Sequence, residues 1–144
     1  MTKLSMIKSK YLLAILACSL LTFGWLKATE EKASEKAMQT LSGFKDQGFV
    51  NVRGERRGYI SNQGVLKQKI KLFDGQDYLA VVAGDEDVET MTLVIIDEKG
   101  KELMRKSGKG GADLNFKSTT KEKYNFVVET PEKGGYYHFS LVTK

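Results

Sequence analysis

Few side chains in this sequence can do covalent or metal chemistry. It holds one His, His138, and one Cys, Cys18. A tetrahedral zinc centre needs about four N or S ligands, and one Cys closes no intramolecular disulfide, so both are excluded. A Ser-His-Asp arrangement has to use His138, which lies in YYHFSLV, yet no G-x-S-x-G elbow accompanies it. Alternation places His138 opposite Tyr137, Phe139 and Leu141 and beside Tyr136 and Ser140, as an exposed or half-buried strand residue. Two carboxylates for glycoside hydrolysis can be drawn from many acids, but nothing marks a pair. No catalytic residue is assigned. A concave pocket joining His138 to a Ser and an acid is the arrangement that favours an enzyme.

A binding role has more candidates. Lys67, Lys69 and Lys71 form a basic row on one strand face, with Arg53, Arg56, Arg57, Arg105, Lys106 and Lys109 adding local positive charge. Such a row suits an acidic polysaccharide or lipid headgroups, although lysines on an exposed strand face also keep a sheet edge soluble. Gly108-Lys109-Gly110-Gly111 lacks the spacing and following helix of a phosphate-binding loop and reads as a hairpin connection.

The elements that must position these residues change character at Phe49. Before it, Thr29 to Ser42 reads as an amphipathic helix. Thr29 can cap it, Glu30 and Glu31 suit its N-terminal end, Gly43 suits its stop, and Ala33, Ala37, Met38 and Leu41 form its apolar stripe. From Phe49 onward the period is two. Leu66, Gln68, Ile70 and Leu72 face one side of a strand and the three lysines the other. Further strands are predicted over 49–53, 57–61, 77–83, 91–97, 101–106, 112–117, 123–129 and 136–143, with turn chemistry between them. Many short strands without crossover helices indicate an all-β antiparallel sandwich or barrel preceded by a short N-terminal helix. Tyr124, Phe126 and Val128, then Tyr137, Phe139 and Leu141, then Leu114 and Phe116 are its predicted core. Met91 to Ile96 reads as a central strand covered on both sides.

The charge has a separate origin. The net charge is +5, and Lys3, Lys8 and Lys10 precede an apolar run from Tyr11 to Leu26, as in the n- and h-regions of a secretory signal. Residues 1–28 are therefore read as a signal peptide, with an uncleaved anchor or a lipidated Cys18 as the alternative outcomes; residues 29–48 are the helix and connector, and 49–144 the sandwich. Removing 1–28 takes away Lys3, Lys8, Lys10 and Lys27 and no acid, leaving about +1. A nucleic-acid partner loses its main support, and the expected location is the periplasm or outside the cell.

Residues Lys69 to Lys144 carry a familiar order of motifs. Gly75 and Tyr78 mark a G-x-x-Y turn, and Asp85 and Asp87 an acidic loop. Leu93, Ile95, Asp97 and Gly100 mark a hairpin, and Tyr124, Phe126 and Val128 a late strand. In this the chain resembles the bacterial pre-peptidase C-terminal domain, over about half its length. The resemblance implies a jelly-roll-like β-sandwich, exported and non-catalytic, acting as an accessory module that binds a protein or glycan. This would be a free-standing copy. Some members of that family bind calcium through the acidic loop, which implies Asp85, Asp87 and Glu89 as calcium ligands, with Glu86 in the same loop and Asp113 and Asn115 as distant contributors; calcium takes about six to eight oxygens, and the alternative is a solvated acidic turn. The family's next acidic positions read Thr90 and Thr92 here. A small secreted hydrolase and a membrane-anchored envelope protein are the alternative functions.

Overall fold

The computed structural model describes residues 30–144. The signal peptide, the anchor and the lipidated Cys18 fall outside the described residues, as does the Thr29 cap. Among the described residues no helix is long and apolar enough to cross a membrane. Residues 30–42 form a helix, α1, and Lys45–Gln47 a 3-10 turn. Eight strands follow: β1 (Asn51–Ile60), β2 (Val65–Lys71), β3 (Asp77–Gly84), β4 (Thr90–Ile96), β5 (Glu102–Lys109), β6 (Gly111–Lys117), β7 (Lys123–Glu129) and β8 (Gly135–Thr143).

The strands pair as the two arms of one long hairpin: β1 with β8, β2 with β7, β3 with β6 and β4 with β5, all antiparallel. Rolling that hairpin adds the pairs β3 with β8 and β4 with β7. Two four-stranded sheets result, ordered β1-β8-β3-β6 and β2-β7-β4-β5, which is the jelly-roll sandwich. The apex of the hairpin is the turn that joins β4 to β5. There Asp97 Oδ1 accepts hydrogen bonds from the Lys99 and Lys101 amides at 3.0 and 2.8 Å, and Gly100 takes a positive φ of 86°. The G-x-x-Y turn is locked in a related way. Gly75 has φ 75°, and the buried Tyr78 hydroxyl accepts from the Phe73 amide at 2.9 Å and donates to Gln76 Oε1.

Between the sheets lies the core predicted from alternation. Tyr78 stacks on Phe116 at 5.7 Å, Phe116 meets Phe126 at 6.1 Å, and Phe126 meets Phe139 at 5.7 Å, so a file of rings crosses from one sheet to the other. Leu72, Leu93, Ile95, Leu114, Tyr124, Val128, Tyr137 and Leu141 complete the same cluster.

Two expectations are corrected. The candidate strands over 49–53 and 57–61 are one edge strand, β1, with a bulge at Arg53. Its core-facing positions Gly54, Arg56 and Gly58 oppose Leu141, Phe139 and Tyr137, so no apolar alternation announces it. β4 is buried on both faces, as its apolar run requires. The second correction concerns the contact stripe of α1, which lies on the other sheet. Ala37, with Leu41, Phe44 and Phe49, packs against Leu79, Val81 and Ala83 of β3 and Val142 of β8. Both of these central strands are therefore buried on both faces. Met38, expected in the contact stripe, is 56% exposed, because the docked face runs through Ala33 and Ala37 at i and i+4.

Ala37→Glu places a charge under α1, and urea unfolding is expected to show a loss of about 3 kcal/mol or more. Met38→Glu, one residue on, is expected to change stability by about 0.5 kcal/mol or less.

Candidate functional site

Lys67, Lys69 and Lys71 project from the outer face of β2, while Leu66, Gln68 and Ile70 turn inward. Their register partners on β7 are Val127, Asn125 and Lys123, so Lys71 sits beside a fourth lysine. Elsewhere on the surface Lys32, Arg57, Arg105, Lys106, Lys133 and Lys144 are each within 4 Å of a carboxylate. The β2 row has no such partner among the described residues. At its end the half-exposed Phe73 ring carries Arg53 at 5.7 Å and Lys121 at 5.9 Å, and Arg56 Nη1 donates to the Lys67 carbonyl at 3.4 Å. One continuous basic margin therefore runs along the β1–β2 side of the sandwich.

The acids named for calcium are each occupied separately. Asp85 is buried, and its two oxygens accept from the Asp87 and Tyr136 amides at 2.9 and 3.1 Å, fastening the β3–β4 connection to β8. Asp87 is exposed, with Lys133 at 3.5 Å, and Glu86 pairs with Lys32 of α1. Glu89 lies beside Glu132 and raises that carboxyl above its ordinary range. Asp113, on β6 opposite Val81, holds Lys106 at 3.2 Å. From Val81 to Asp85 is about 13 Å of strand, so Asp113 does not join the loop. Among the described residues, no three His, Cys, Asp or Glu side chains gather to hold a metal ion.

His138 sits in a setting the alternation did not foresee. It occupies the outer face of β8, between Ala83 of β3 and Arg57 of β1, but α1 covers that face and leaves the side chain 2% exposed. A buried imidazole needs partners, and it has two. Nδ1 lies 3.1 Å from Ser34 Oγ on α1, and Nε2 lies 3.0 Å from Glu55 Oε1 on β1. Arg57 donates from Nε and Nη2 to the same Glu55 oxygen, at 2.9 and 2.6 Å. That hydrogen bond is the main reason the Glu55 carboxyl is held below the usual range. Burial, reinforced by the Arg57 charge and opposed by Glu55, keeps His138 below the ordinary imidazole value. The neutral ring thus carries its proton on Nε2, donates to Glu55, and accepts from the Ser34 hydroxyl at Nδ1. Nothing in the sequence marks Ser34 or Glu55 as its partners; they reach His138 only because α1 docks on this face and β1 pairs with β8.

With this geometry in place, comparison with known proteins is informative about the fold. No family model matches the chain, and no curated protein sequence matches it. Solved structures do. The pre-peptidase C-terminal domain of a Bacillus anthracis collagenase superposes with a TM-score of 0.53 at 15% identity, over 64% of this chain and 90% of that one. The fold is shared with that domain. The Aeromonas hydrophila periplasmic inhibitor of g-type lysozyme gives a TM-score of 0.51 at 10% identity, over 68% and 90% of the two chains. A surface-associated copper-binding protein of Methylomicrobium album gives 0.55 at 6% identity, over 62% and 93%. At such identities the likeness is one of architecture.

Two outcomes are expected. Asp85→Ala strands two backbone amides and costs about 2–4 kcal/mol, and the loss measured by denaturant is the same in calcium as in chelator. The second follows from His138. The unfolded chain binds a proton at about pH 6.5, whereas the folded protein does so only at lower pH, so protons favour unfolding. Thermal midpoints are expected to hold steady down to about pH 6.5 and fall below it, and His138→Gln to flatten that fall.

Proposed function

We propose that this chain is an exported β-sandwich binding module whose basic margin holds an anionic polysaccharide of the cell envelope. The observation that carries this reading is the row Lys67, Lys69 and Lys71, extended by Lys123, without an ion-pair partner among the described residues. Unpaired cations at alternate strand positions repeat every ~7 Å on a flat face. That geometry suits an extended polymer with regularly spaced carboxylates or sulfates better than a small ligand in a pocket. The exposed Phe73, flanked by Arg53 and Lys121, adds an apolar surface at the end of the row on which a sugar ring can rest. Binding of this kind makes no use of catalysis, and it fits the accessory role implied by the resemblance to the pre-peptidase C-terminal domain. Export is supported by the basic and apolar runs within residues 1–28. Two proteins of the same fold are themselves described as periplasmic and as surface-associated.

The test is retention on immobilised polygalacturonate. Lys67→Glu, Lys69→Glu and Lys71→Glu together are expected to weaken binding about tenfold or more, at up to ~1 kcal/mol per exposed charge contact, with unchanged thermal stability. Lys99→Glu with Lys101→Glu, in the β4–β5 turn, should leave binding intact. Retention that ignores ionic strength, or that falls equally in both variants, overturns the reading. So does capture by the triple variant of the same envelope protein that the unaltered chain captures, since the partner then uses another surface.

A further inference from the structure

The hydrogen-bonded series Ser34, His138, Glu55 brings together three separate elements, and its free end opens to solvent. Ser34 is half-buried and lines a surface hollow of about 460 Å³ with Glu30, Glu31, Glu35, Met38 and Arg57. The order is nucleophile, base, orienting acid, each link at hydrogen-bond length: 3.1 Å from Ser34 Oγ to Nδ1 and 3.0 Å from Nε2 to Glu55. A fastening for α1 does not need these groups. Ala33 and Ala37 already dock the helix, and burying an imidazole beside Arg57 costs stability that an apolar side chain would not.

We propose that Ser34, His138 and Glu55 form an acyl-transfer site that hydrolyses a small neutral or cationic carboxylic ester bound in this hollow. Ser34 Oγ bonds to the ester carbonyl carbon while its proton passes to His138 Nδ1. The tetrahedral adduct collapses with cleavage of the C–O bond, and the alcohol leaves with the proton from Nδ1. Water then attacks the acyl-Ser34, giving a proton to Nδ1. Collapse releases the carboxylic acid and returns that proton to Oγ. Ester and water become acid and alcohol, and no redox partner is required. The ring is used in the reverse sense to the usual Ser-His-Asp order, with Nδ1 toward the nucleophile. Either ring nitrogen can serve, since the hydrogen-bond geometry decides the role.

Arg57 supplies the electrostatic partner. Its Nε and Nη2 are committed to Glu55, while Nη1 makes no hydrogen bond among the described residues, and the side chain lines the same hollow as Ser34. A guanidinium there can stabilise the developing oxyanion. Glu55 is a positioning residue that fixes the ring and its tautomer. The substrate class follows from the rim, where Glu30, Glu31 and Glu35 repel anions and the exposed Met38 offers an apolar contact. This site lies on the sheet that carries α1, whereas the lysine row lies on the other, so either proposal can fail without the other.

The full chain is treated with a fluorophosphonate probe and assayed with p-nitrophenyl acetate, a choline ester and a hemisuccinate ester. We expect a single adduct mapped to Ser34, hydrolysis of the neutral and cationic esters in preference to the anionic one, and loss of both adduct and hydrolysis in Ser34→Ala. His138→Gln is expected to lose a factor of about 100 or more, but that residue is buried and the variant can fail to fold. Glu55→Gln, at a half-exposed position, is therefore the second arm. The groups charged or titratable around the ring are Glu55 and Arg57 on β1. Ser34 on α1 and Ala83 on β3 contribute no charge at these pH values. Removing the Glu55 carboxylate should move the lower inflection of the kcat/KM profile to lower pH as well as reduce the rate, a shift that a purely structural role does not produce. An unlabelled Ser34 in the folded protein, or hydrolysis equal in Ser34→Ala and the unaltered chain, overturns the proposal and leaves the three residues as a fastening of α1.

Discussion

Beyond Asp77 at the start of β3, the central strands β3 and β8 carry only apolar or neutral side chains on both faces, and the arrangement of the rest follows from covering them. The inner face is covered by the opposing sheet, through the file of rings from Tyr78 to Phe139. For the outer face the described residues provide one helix, and its small residue Ala37 allows close approach to Leu79, Val81 and Ala83. Because apolar surface left in water costs roughly 25 cal/mol per Å², this contact ties α1 to the sandwich and makes helix and sheet one unit. On the opposing sheet it is the outer face of β2 that is exposed, and it carries the row of lysines.

Covering a sheet face also imposes conditions on every polar group caught beneath the helix. His138 is the case in point. Its two ring nitrogens are satisfied by Ser34 and Glu55, and Glu55 is in turn held by Arg57. The chain of partners runs from the helix through the central strand to the edge strand and ends at the surface. Asp85 shows the same logic at the sheet's end, where a buried carboxylate is spent on two backbone amides and tightens a connection. Buried polar groups in this molecule are thus paired with named partners, with Gln68 Oε1 on the core face as the exception among the described residues.

The jelly roll pairs the first strand with the last, so the strand pairing of longest range in sequence sits next to the His138 cluster. β1 donates Glu55 and Arg57, β8 donates His138, and their register sets Arg57 opposite His138. The cluster therefore exists only where β1 is paired with β8 and α1 is docked. The lysine row depends on a single strand and needs no such closure.

Strand periodicity, turn residues and the absence of crossover segments determined the class of fold, because alternation reports which side of a strand meets the core wherever one face is wet. The same rule placed Lys67, Lys69 and Lys71 outside and Tyr124, Phe126 and Val128 inside, and the residues Glu98 to Gly100 marked a turn. It failed where its premise fails. On β1 the inward positions are Gly54, Arg56 and Gly58, which carry no apolar signal. On β8 both faces are buried, so alternation cannot distinguish a wet face from one under a helix. Which sheet α1 covers, that Met38 turns outward, and that Ser34, Glu55 and His138 meet were decided by tertiary structure alone, since those residues are separated by up to 104 positions and only the closed roll with its docked helix brings them within hydrogen-bond reach.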